Sequence, residues 1–484
     1  MIKKPFLAFL FAGLFGIGNA MAQTPDSLFQ IEQVTDLEEI VVTASPKEYR
    51  KLREQPASTT ILDEQMLQRH GIDNIKQLNG YIPNLFTPDY GSRMTSAAYI
   101  RGIGSRINTP AVGLYVDNLP FIEKSAYDFE YDAIESIDVL RGPQSTLYGR
   151  NAMGGLIRIH TKNPFRYQGT DFIIGAASYG GYRASLNTYQ RVSSRLAFSA
   201  GGFLAHEDGI WRNSYTNGLM DKTDRSGLRF RMLWLPADNL KIGLNSSYEY
   251  SDQGGYPYFY RGNLEEETRS SEVGRISVND PSHYRRHLLN NGITVEYQTN
   301  HFTLSAVTGH QYLTDNMLLD QDFTEQDLFT LGQRQQINTL SEEIALKSKS
   351  GRRWQWTTGV FGFYQWLNTN APVAFKKEGL TTLIEDNVND IFPSSPMAPT
   401  MHLTLNNNEL AIGDIFRTPT YNLAAYHQST FNHLFGLQGL SLTLGIRLDY
   451  EKMYIDYDSY SQPLDFTFDF AMAGVGPRPP INLT

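Results

Sequence analysis

Apolar and polar residues alternate with a period of two through much of the second half of the sequence. From Leu440 to Tyr450 the even-numbered positions carry Leu, Ile or Tyr, whereas the odd-numbered positions carry Ser, Thr, Gly, Arg or Asp. The stretches from Leu240 to Tyr250 and from Leu196 to Leu204 show the same alternation. Successive side chains of a β-strand point to opposite faces of a sheet, so the pattern predicts strands with one apolar and one polar face.

The connections between the predicted strands favour a membrane barrel over a soluble β-sandwich, which also alternates. After the first hairpin, tight turns alternate with long connections at 207–225, 252–284, 314–334 and 368–419. Outer-membrane barrels have short turns at one end and long loops at the other, so this asymmetry predicts an antiparallel transmembrane β-barrel. The predicted strands cover 170–178, 182–191, 195–206, 226–235, 239–251, 285–298, 301–313, 335–348, 354–367, 420–431 and 439–455.

The predicted strand count is odd, at about eleven, whereas single-chain bacterial barrels normally have an even number. An open sheet would also leave two strand edges unpaired in lipid, where unsatisfied backbone groups are costly. We therefore expect residues 166–484 to form the N-terminal part of a barrel, in a chain that is truncated.

The first residues predict export. Lys3 and Lys4 precede an apolar run from Phe6 to Ile17, and Ala20-Met21-Ala22 fits a small-residue cleavage site, so residues 1–22 are interpreted as a signal peptide. Residues 23–50 are predicted to form a polar periplasmic tail. A formal net charge of −9 argues against a nucleic-acid partner, and the absence of cysteine excludes disulfides and thiolate metal sites.

Residues 51–165 mix helix and strand signals and predict a small α/β domain. Asp63 and Asp73 are placed to cap two short helices, which Gly71 and Gly80 would end. Short β-prone runs separated by glycine and proline follow. One of them lies at Val112–Val116.

Three motifs in this part resemble those of the TonB-dependent outer-membrane receptors. The long segment from Ile134 to Lys162, which contains Leu-Arg-Gly-Pro-Gln-Ser-Thr-Leu-Tyr-Gly-Arg-Asn, resembles the plug-domain signature of that family. Ile100–Gly104 and Val112–Pro120 match upstream plug motifs in the same order. The tail segment Glu38-Glu39-Ile40-Val41-Val42-Thr43-Ala44 resembles the TonB box, and its short β-prone run suits strand addition to a partner's sheet edge.

The resemblance implies a plug domain inside a barrel of about 22 strands. It also implies active import of a scarce nutrient, most often a ferric siderophore or another iron chelate, with TonB as the partner that delivers energy and the outer-membrane bilayer as the surroundings. Arg101 and Arg141 resemble plug arginines that pair with barrel glutamates in the family, and Glu343 resembles one such glutamate.

Candidate contacts for an extracellular ligand lie at the first plug strand and in one long loop, where aromatic rings suit stacking on a chelator. They are Tyr90, Arg93, Met94, Arg106, Tyr256, Tyr258, Phe259 and Tyr260. The sequence predicts no catalytic residue, no metal site and no resident cofactor, since no nucleophile and base stand in a known motif. The alternatives are a passive porin or adhesin barrel, a vitamin B12 or haem receptor, and a truncated fragment without function.

Overall fold

The computed structural model describes residue 47 and residues 57–107, 109–259, 261–262, 273–391, 400–471 and 481–483. The strands of the N-terminal part are β1 (Ser58–Asp63), β2 (Leu85–Phe86), β3 (Tyr99–Ile100), β4 (Val112–Val116), β5 (Leu119–Phe121), β6 (Ile134–Arg141) and β7 (Gly155–Thr161). Its helical segments are α1 (Glu64–Arg69), α2 (Ser145–Tyr148) and 3-10 turns at Lys76–Leu78, Arg93–Thr95 and Lys124–Ala126.

Five of these strands form one sheet, in the order β1-β6-β7-β4-β5. The β4 and β7 strands pair in parallel, and the other neighbours are antiparallel. Both faces are covered, and Leu114, Ile137, Val139 and Ile157 are 0% exposed. Gly155 begins β7 with φ +154°, and a Cβ there would collide with the carbonyl oxygen of Leu140 on the neighbouring strand, so only glycine fits. The predicted α/β domain is confirmed.

Of the two predicted helices, one forms with the expected cap and the other does not. Helix α1 is capped as expected, because the Asp63 carboxylate accepts from Met66 N at 2.8 Å. The second predicted helix is only a 3-10 turn, whose N-cap position is Ile75, and Asn74 Oδ1 accepts from Lys76 N at 3.0 Å. The assignment of Asp73 as a cap was wrong, because its carboxylate instead contacts Arg183 at 3.1 Å.

The C-terminal part is built almost entirely of strands. They are β8 (Gly169–Ala176), β9 (Tyr182–Arg191), β10 (Leu196–Glu207), β11 (Thr223–Ala237), β12 (Leu240–Gly254), β13 (His283–Gln298), β14 (Phe302–Asp320), β15 (Phe329–Ser348), β16 (Trp354–Lys376), β17 (Thr400–Leu405), β18 (Glu409–Arg417), β19 (Thr420–Asn432), β20 (Ser441–Met453), β21 (Asp456–Ser461), β22 (Phe466–Ala471) and β23 (Ile481–Leu483). Helical segments lie at α3 (Lys377–Gly379), a π-helical turn (Leu380–Glu385), α4 (Asp386–Asn389) and a 3-10 turn (Leu434–Gly436).

All eleven predicted strands occur, and they form one continuous antiparallel path from β8 to β16 and on through β19 to β20. The period-two pattern sorts the side chains as expected. On β11, Leu228 and Trp234 are 66% and 44% exposed on the outer face, whereas Arg225 and Arg231 on the other face contact the N-terminal domain. The predicted antiparallel sheet is confirmed.

The prediction that 368–419 is one long loop was wrong. Strand β16 continues to Lys376, and β18 pairs with this extension, from Asn368 opposite Arg417 to Lys376 opposite Glu409. Pro372 lies opposite Gly413 on β18 without interrupting the register, as proline can where its missing N–H is not needed for the ladder. Beyond these strands, β17, β22 and β23 form a separate three-stranded sheet.

The α/β domain packs against the inward face of the large sheet. Leu288, Leu313 and Ile337 from β13, β14 and β15 belong to the same buried cluster as Leu114 and Ile157 of the domain. A Cβ at Gly292 on β13 would collide with the side chain of Leu119, so the wall is recessed where β5 touches it. The arrangement is that of a plug held against a barrel wall. Within the described residues, no helix combines the length and apolar character needed to cross a bilayer.

Candidate plug-barrel interface and ligand site

An acidic stretch of the plug, residues 128–132 (Asp-Phe-Glu-Tyr-Asp), is buried against arginines of the barrel wall. Glu130 at its centre is 0% exposed. Its Oε1 accepts from Arg225 at 2.8 Å and from the plug residue Arg93 at 2.8 Å, and its Oε2 accepts from Arg183 at 3.2 Å. Charge-assisted contacts to β9 and β11 therefore meet on one plug carboxylate.

A barrel carboxylate completes the same network. Glu249 on β12 accepts from Arg93 at 3.0 Å and from Arg286 at 2.7 Å, and its other oxygen accepts from the backbone N–H of Glu130 at 2.9 Å. Arg286 is 0% exposed and also donates to the carbonyls of Ser125 at 2.6 Å and Asp128 at 2.7 Å. The plug and the barrel wall therefore each contribute both acidic and basic residues to this network.

Because the charged groups of this network are buried, the loss of any one of them is energetically costly. Removing one partner of a buried ion pair costs roughly 3–5 kcal/mol, because the other charge stays desolvated. Burial by itself would raise the pKa of Asp128, but Arg93 and Lys76 outweigh it and hold that pKa below its ordinary value. The network, which we call the plug latch, comprises Arg93, Asp128, Glu130, Arg183, Arg225, Glu249 and Arg286.

Arg93, which had been predicted to contact the ligand, belongs instead to the plug latch. Ser92 caps the 3-10 turn at Arg93–Thr95, and Arg93 is directed inward, where it is 4% exposed and bound to Glu130 and Glu249. Arg93 thus forms the kind of plug-arginine to barrel-glutamate pair that had been expected at Arg101, Arg141 and Glu343.

Glu343 is paired, but with a different cation. Its Oε2 lies 2.6 Å from Lys47 Nζ, and its Oε1 accepts from the Tyr426 hydroxyl at 2.7 Å. Arg141 is half-buried on the plug and donates to the Pro83 carbonyl at 3.1 Å, and Arg101 is exposed in a left-handed turn with φ 52°. In the described structure neither arginine forms an ion pair with Glu343, so the residues assigned to that pair were wrong.

Lys47 lies three residues beyond the segment that resembles the TonB box, Glu38–Ala44, which itself is outside the described residues. Besides Glu343, its ammonium group reaches the Leu147 carbonyl at 3.2 Å and lies 4.6 Å from the centre of the Tyr148 ring. Its own carbonyl accepts from Thr357 of β16 at 3.2 Å. One buried residue thus joins the tail, the plug and the barrel wall.

The predicted ligand contacts separate into two groups. Arg106 stacks over the Tyr90 ring at 4.4 Å, and the Tyr258 hydroxyl donates to the Tyr90 carbonyl at 2.7 Å. Phe259 is 49% exposed beside them, and Tyr260 lies outside the described residues. Together, Tyr90, Arg106, Tyr258 and Phe259 form a partly exposed aromatic and cationic surface, which we call the apical surface.

Tyr256 and Met94 belong to the other group. Tyr256 is 5% exposed and packs with Tyr284 and Met317 of the wall, and Met94 packs against the same cluster. These two side chains support the apical surface from below. Phe323 also belongs to the apical surface, because its ring lies 4.9 Å from that of Tyr258, and sequence reasoning missed it by proposing no ligand contact in the connection 314–334.

Comparison with known proteins agrees with this architecture. Residues 51–156 match the family model described as the TonB-dependent Receptor Plug Domain. The chain carries a TonB-dependent receptor plug domain. The pesticin receptor of Yersinia pestis is 30% identical over 171 residues, which cover 35% of this chain and 25% of that receptor. The vitamin B12 transporter BtuB of Vibrio vulnificus is 28% identical over 228 residues, which cover 45% of this chain and 34% of the transporter.

Solved structures of receptors share the fold of plug and wall together. The ferric yersiniabactin uptake receptor FyuA from Yersinia pestis superposes with a TM-score of 0.59 at 17% identity, covering 86% of this chain and 62% of that chain. FpvA of P. aeruginosa bound to heterologous pyoverdines gives a TM-score of 0.61 at 13% identity, covering 90% of this chain and 59% of that chain. The chain therefore spans less than two thirds of the length of each of these four proteins.

Within the described ranges, no group of three or more His, Cys, Asp or Glu side chains is arranged to hold a metal ion. The chemistry available at the apical surface is ring stacking together with one guanidinium group, which suits aromatic or anionic groups.

Proposed function

We propose that this chain belongs to a receptor that imports a small iron chelate, such as a ferric siderophore, across the outer membrane with energy from TonB. The observation that carries the proposal is the plug domain packed against the barrel wall and tied to it by the plug latch. A passive pore needs no such occluding domain, whereas active import needs one that can be held closed and then moved.

The tail provides the place where TonB acts in this proposal. Segment 38–44 would add as a strand to TonB, and force on it would reach Lys47 within three residues. The Lys47–Glu343 pair, at 2.6 Å, would hold the tail against the wall until that force is applied. Separating a buried pair of this kind is costly, because a charge that stays buried loses its partner.

The apical surface would bind the chelate from outside. Tyr90, Tyr258 and Phe323 offer rings for stacking, and Arg106 offers a cation for an anionic chelate. The pesticin, ferrioxamine and ferric yersiniabactin receptors are among the relatives, which supports an iron chelate. The similarity to a vitamin B12 transporter makes cobalamin the second candidate.

Deletion of residues 38–44 from the full-length gene product tests the import mechanism. We expect uptake of the chelate to be lost while binding at the cell surface is kept, because the apical surface is untouched. Deletion of seven residues upstream, 25–31, is the matched control and should leave uptake intact. Uptake that persists without 38–44 would show that the barrel is passive.

Growth on single nutrients identifies the ligand. Cells whose other receptors are deleted would be given ferrioxamine, ferric yersiniabactin or ferripyoverdine as the iron source, or vitamin B12 in a cobalamin auxotroph. Growth on an iron chelate that disappears in the Tyr258→Ala variant supports the first candidate. Growth on vitamin B12 alone would favour the second.

A further inference from the structure

Polar side chains stand on the outer face of the barrel wall at β12 to β15, where neighbouring strands carry apolar ones. Leu288, Leu313 and Ile337 face the plug from β13, β14 and β15, so positions an odd number of residues away face outward. The polar residues at such outward positions form what we call the outer polar patch. They are Ser246, Asn291, Thr308, His310, Asn338 and Glu342.

Four of these side chains form a hydrogen-bonded chain across the strands. The Ser246 hydroxyl donates to Asn291 Oδ1 at 2.8 Å, and the Asn291 amide donates to His310 Nδ1 at 3.3 Å. His310 Nε2 in turn donates to Asn338 Oδ1 at 3.0 Å. The apolar rule of the outer face is therefore broken by a connected group and not by scattered residues.

The patch also holds a carboxylate. Thr308 and Glu342 are direct partners in the register of β14 and β15, and the Thr308 hydroxyl donates to Glu342 Oε2 at 2.5 Å. A carboxylate has about four acceptor positions, so one hydroxyl leaves most of them free for further donors.

The position of the patch along the strands places it within the apolar band of a membrane barrel. Aromatic girdles flank that band. On the outward row of β14, Tyr312 stands toward one end, and Leu304 toward the other end pairs with the outward Tyr297 of β13. Thr308 is four residues from Tyr312 and from Leu304. This is roughly 9 Å along the membrane normal, for a rise of about 3.3 Å per residue and a tilt of about 45°. Thr308 and Glu342 thus lie near the middle of the band.

Polar groups at this depth are unfavourable unless something covers them. Lipid tails offer no hydrogen bonds, and ionisable side chains within membrane segments pair with other groups or mark a functional site. Apolar side chains surround the patch, and Ile293, Leu340, Ile344 and Val360 are between 43% and 53% exposed. Association inside a bilayer depends on packing and hydrogen bonds across the contact, and a polar centre within an apolar rim supplies both.

The wall cannot cover the patch with another of its own strands. Each of β12, β13, β14 and β15 already pairs with a neighbour on both sides. The plug lies on the opposite face of the same strands. The cover must therefore come from another molecule in the bilayer.

We infer that the outer polar patch is the contact surface between two copies of this chain, related by a two-fold axis along the membrane normal that passes over β14. A second copy is inserted in the same direction and to the same depth, so its polar groups meet those of the first at one level. The patch combines hydroxyl, amide and imidazole donors with carboxylate and amide acceptors, as a self-complementary two-fold contact requires. The inference goes beyond import and rests on the proposed function only through the bilayer around the outer face.

Disulfide trapping tests the contact, because the chain has no cysteine of its own. Ala306→Cys places a thiol on the outward row of β14, two residues from Thr308 and beside the proposed axis. Ala200→Cys is the matched control on the outward face of β10, where its partner in the register is the outward Phe230. The full-length gene product with each substitution would be oxidised in native outer membranes by a membrane-soluble copper complex, and the linked dimer would be measured on non-reducing gels.

We expect at least about tenfold more dimer at 306 than at 200, which corresponds to a preference of about 1.4 kcal/mol for the proposed face. Equal yields would show random collision and overturn the contact. A benzophenone maleimide attached to the same thiols identifies any other occupant. A product of another mass, from a different protein or a lipid, would overturn the second copy, as would the absence of a dimer with both reagents.

The same thiols separate failure of the contact from failure of the proposed function. A charged maleimide added to isolated outer membranes should react much more slowly at 200 and 306 than at Ser193→Cys, in an exposed turn. Rapid labelling at both 200 and 306 would show that the outer face meets water, which refutes the membrane location itself. Shielded thiols that give no dimer would refute only the contact.

Substitution within the patch gives a second test. Replacing His310→Leu together with Glu342→Leu in the Ala306→Cys background should lower the yield of dimer at least about tenfold, because hydrogen bonds that involve a charged group are lost. Phe230→Leu with Met232→Leu, on the outer face of β11, is the control and should leave the yield unchanged. Unchanged heat-modifiable migration on gels reports that each barrel is folded. An undiminished dimer in the folded patch variant would refute the role of the polar groups.

Discussion

Replacing Glu130 by glutamine should loosen the plug more than any other single isosteric change in it. The amide keeps the shape of the carboxylate but removes the charge that faces Arg93, Arg183 and Arg225, all within 3.2 Å. Loss of one partner from a buried ion-pair network costs roughly 3–5 kcal/mol. Taking the lower limit, opening of the plug should become at least about 100-fold more frequent, since each 1.4 kcal/mol is tenfold.

Hydrogen exchange of the receptor in detergent, followed by mass spectrometry, measures this opening directly. Amides of β6 and β7 should exchange about 100-fold faster in Glu130→Gln, by the arithmetic above. Glu135→Gln is the matched control, because Glu135 is 38% exposed in its pair with Arg166 at 3.4 Å and such pairs contribute only about 0–1 kcal/mol. Similar exchange in the two variants would refute the idea that the buried latch holds the plug.

Three further results are expected. Lowering the pH should reduce the protection of plug amides, measured as the exchange rate relative to the intrinsic rate at each pH. The reason is that the depressed pKa of Asp128 gives a stabilisation that is complete above its ordinary pKa of about 4 and is lost as the pH falls through its folded-state pKa; Asp128→Asn should flatten this dependence, and an unchanged slope would contradict it. Leu119→Ala, beside Gly292, should destabilise the plug by about 2–5 kcal/mol in denaturant titrations, and a change below about 1 kcal/mol would show that β5 is not packed on the wall. Phe323→Ala should weaken binding of the imported chelate at the cell surface by about 0.5–1.5 kcal/mol without affecting plug exchange, and an unchanged affinity would exclude Phe323 from the apical surface.

The strands were predictable because lipid and lumen impose a strict period of two on every residue between them. The apolar positions on β11, Leu228 and Trp234, are set by that rule alone. The upper part of β16 and its partner β18 were missed because they lie where the alternation weakens and a proline intervenes. The plug was predictable from its motif, which depends on a local sequence of about thirty residues.

The residue pairs within the plug latch could not be predicted from the sequence. Residues 128–132 show alternating acidic and aromatic side chains, and Arg225, Arg229 and Arg231 occupy one face of a predicted strand, so each half was visible in the sequence. Their partners, however, are about a hundred residues apart, as with Glu130 and Arg225. Only the packing of the plug on the wall decides which arginine meets which carboxylate. The expectation for Arg101 and Arg141 failed for the same reason.

The N-terminal part of the chain is held against its own barrel wall through buried ion pairs. A zero-length carbodiimide cross-link between Lys47 and Glu343, identified by mass spectrometry in resting outer membranes, tests it most directly, because the two groups lie 2.6 Å apart. The claim predicts a peptide joined at 47 and 343, alongside the wall pair Lys241 and Glu296 at 3.7 Å as a check on the reagent. Cross-linking of the wall pair, with Lys47 joined only to carboxylates elsewhere, would contradict it.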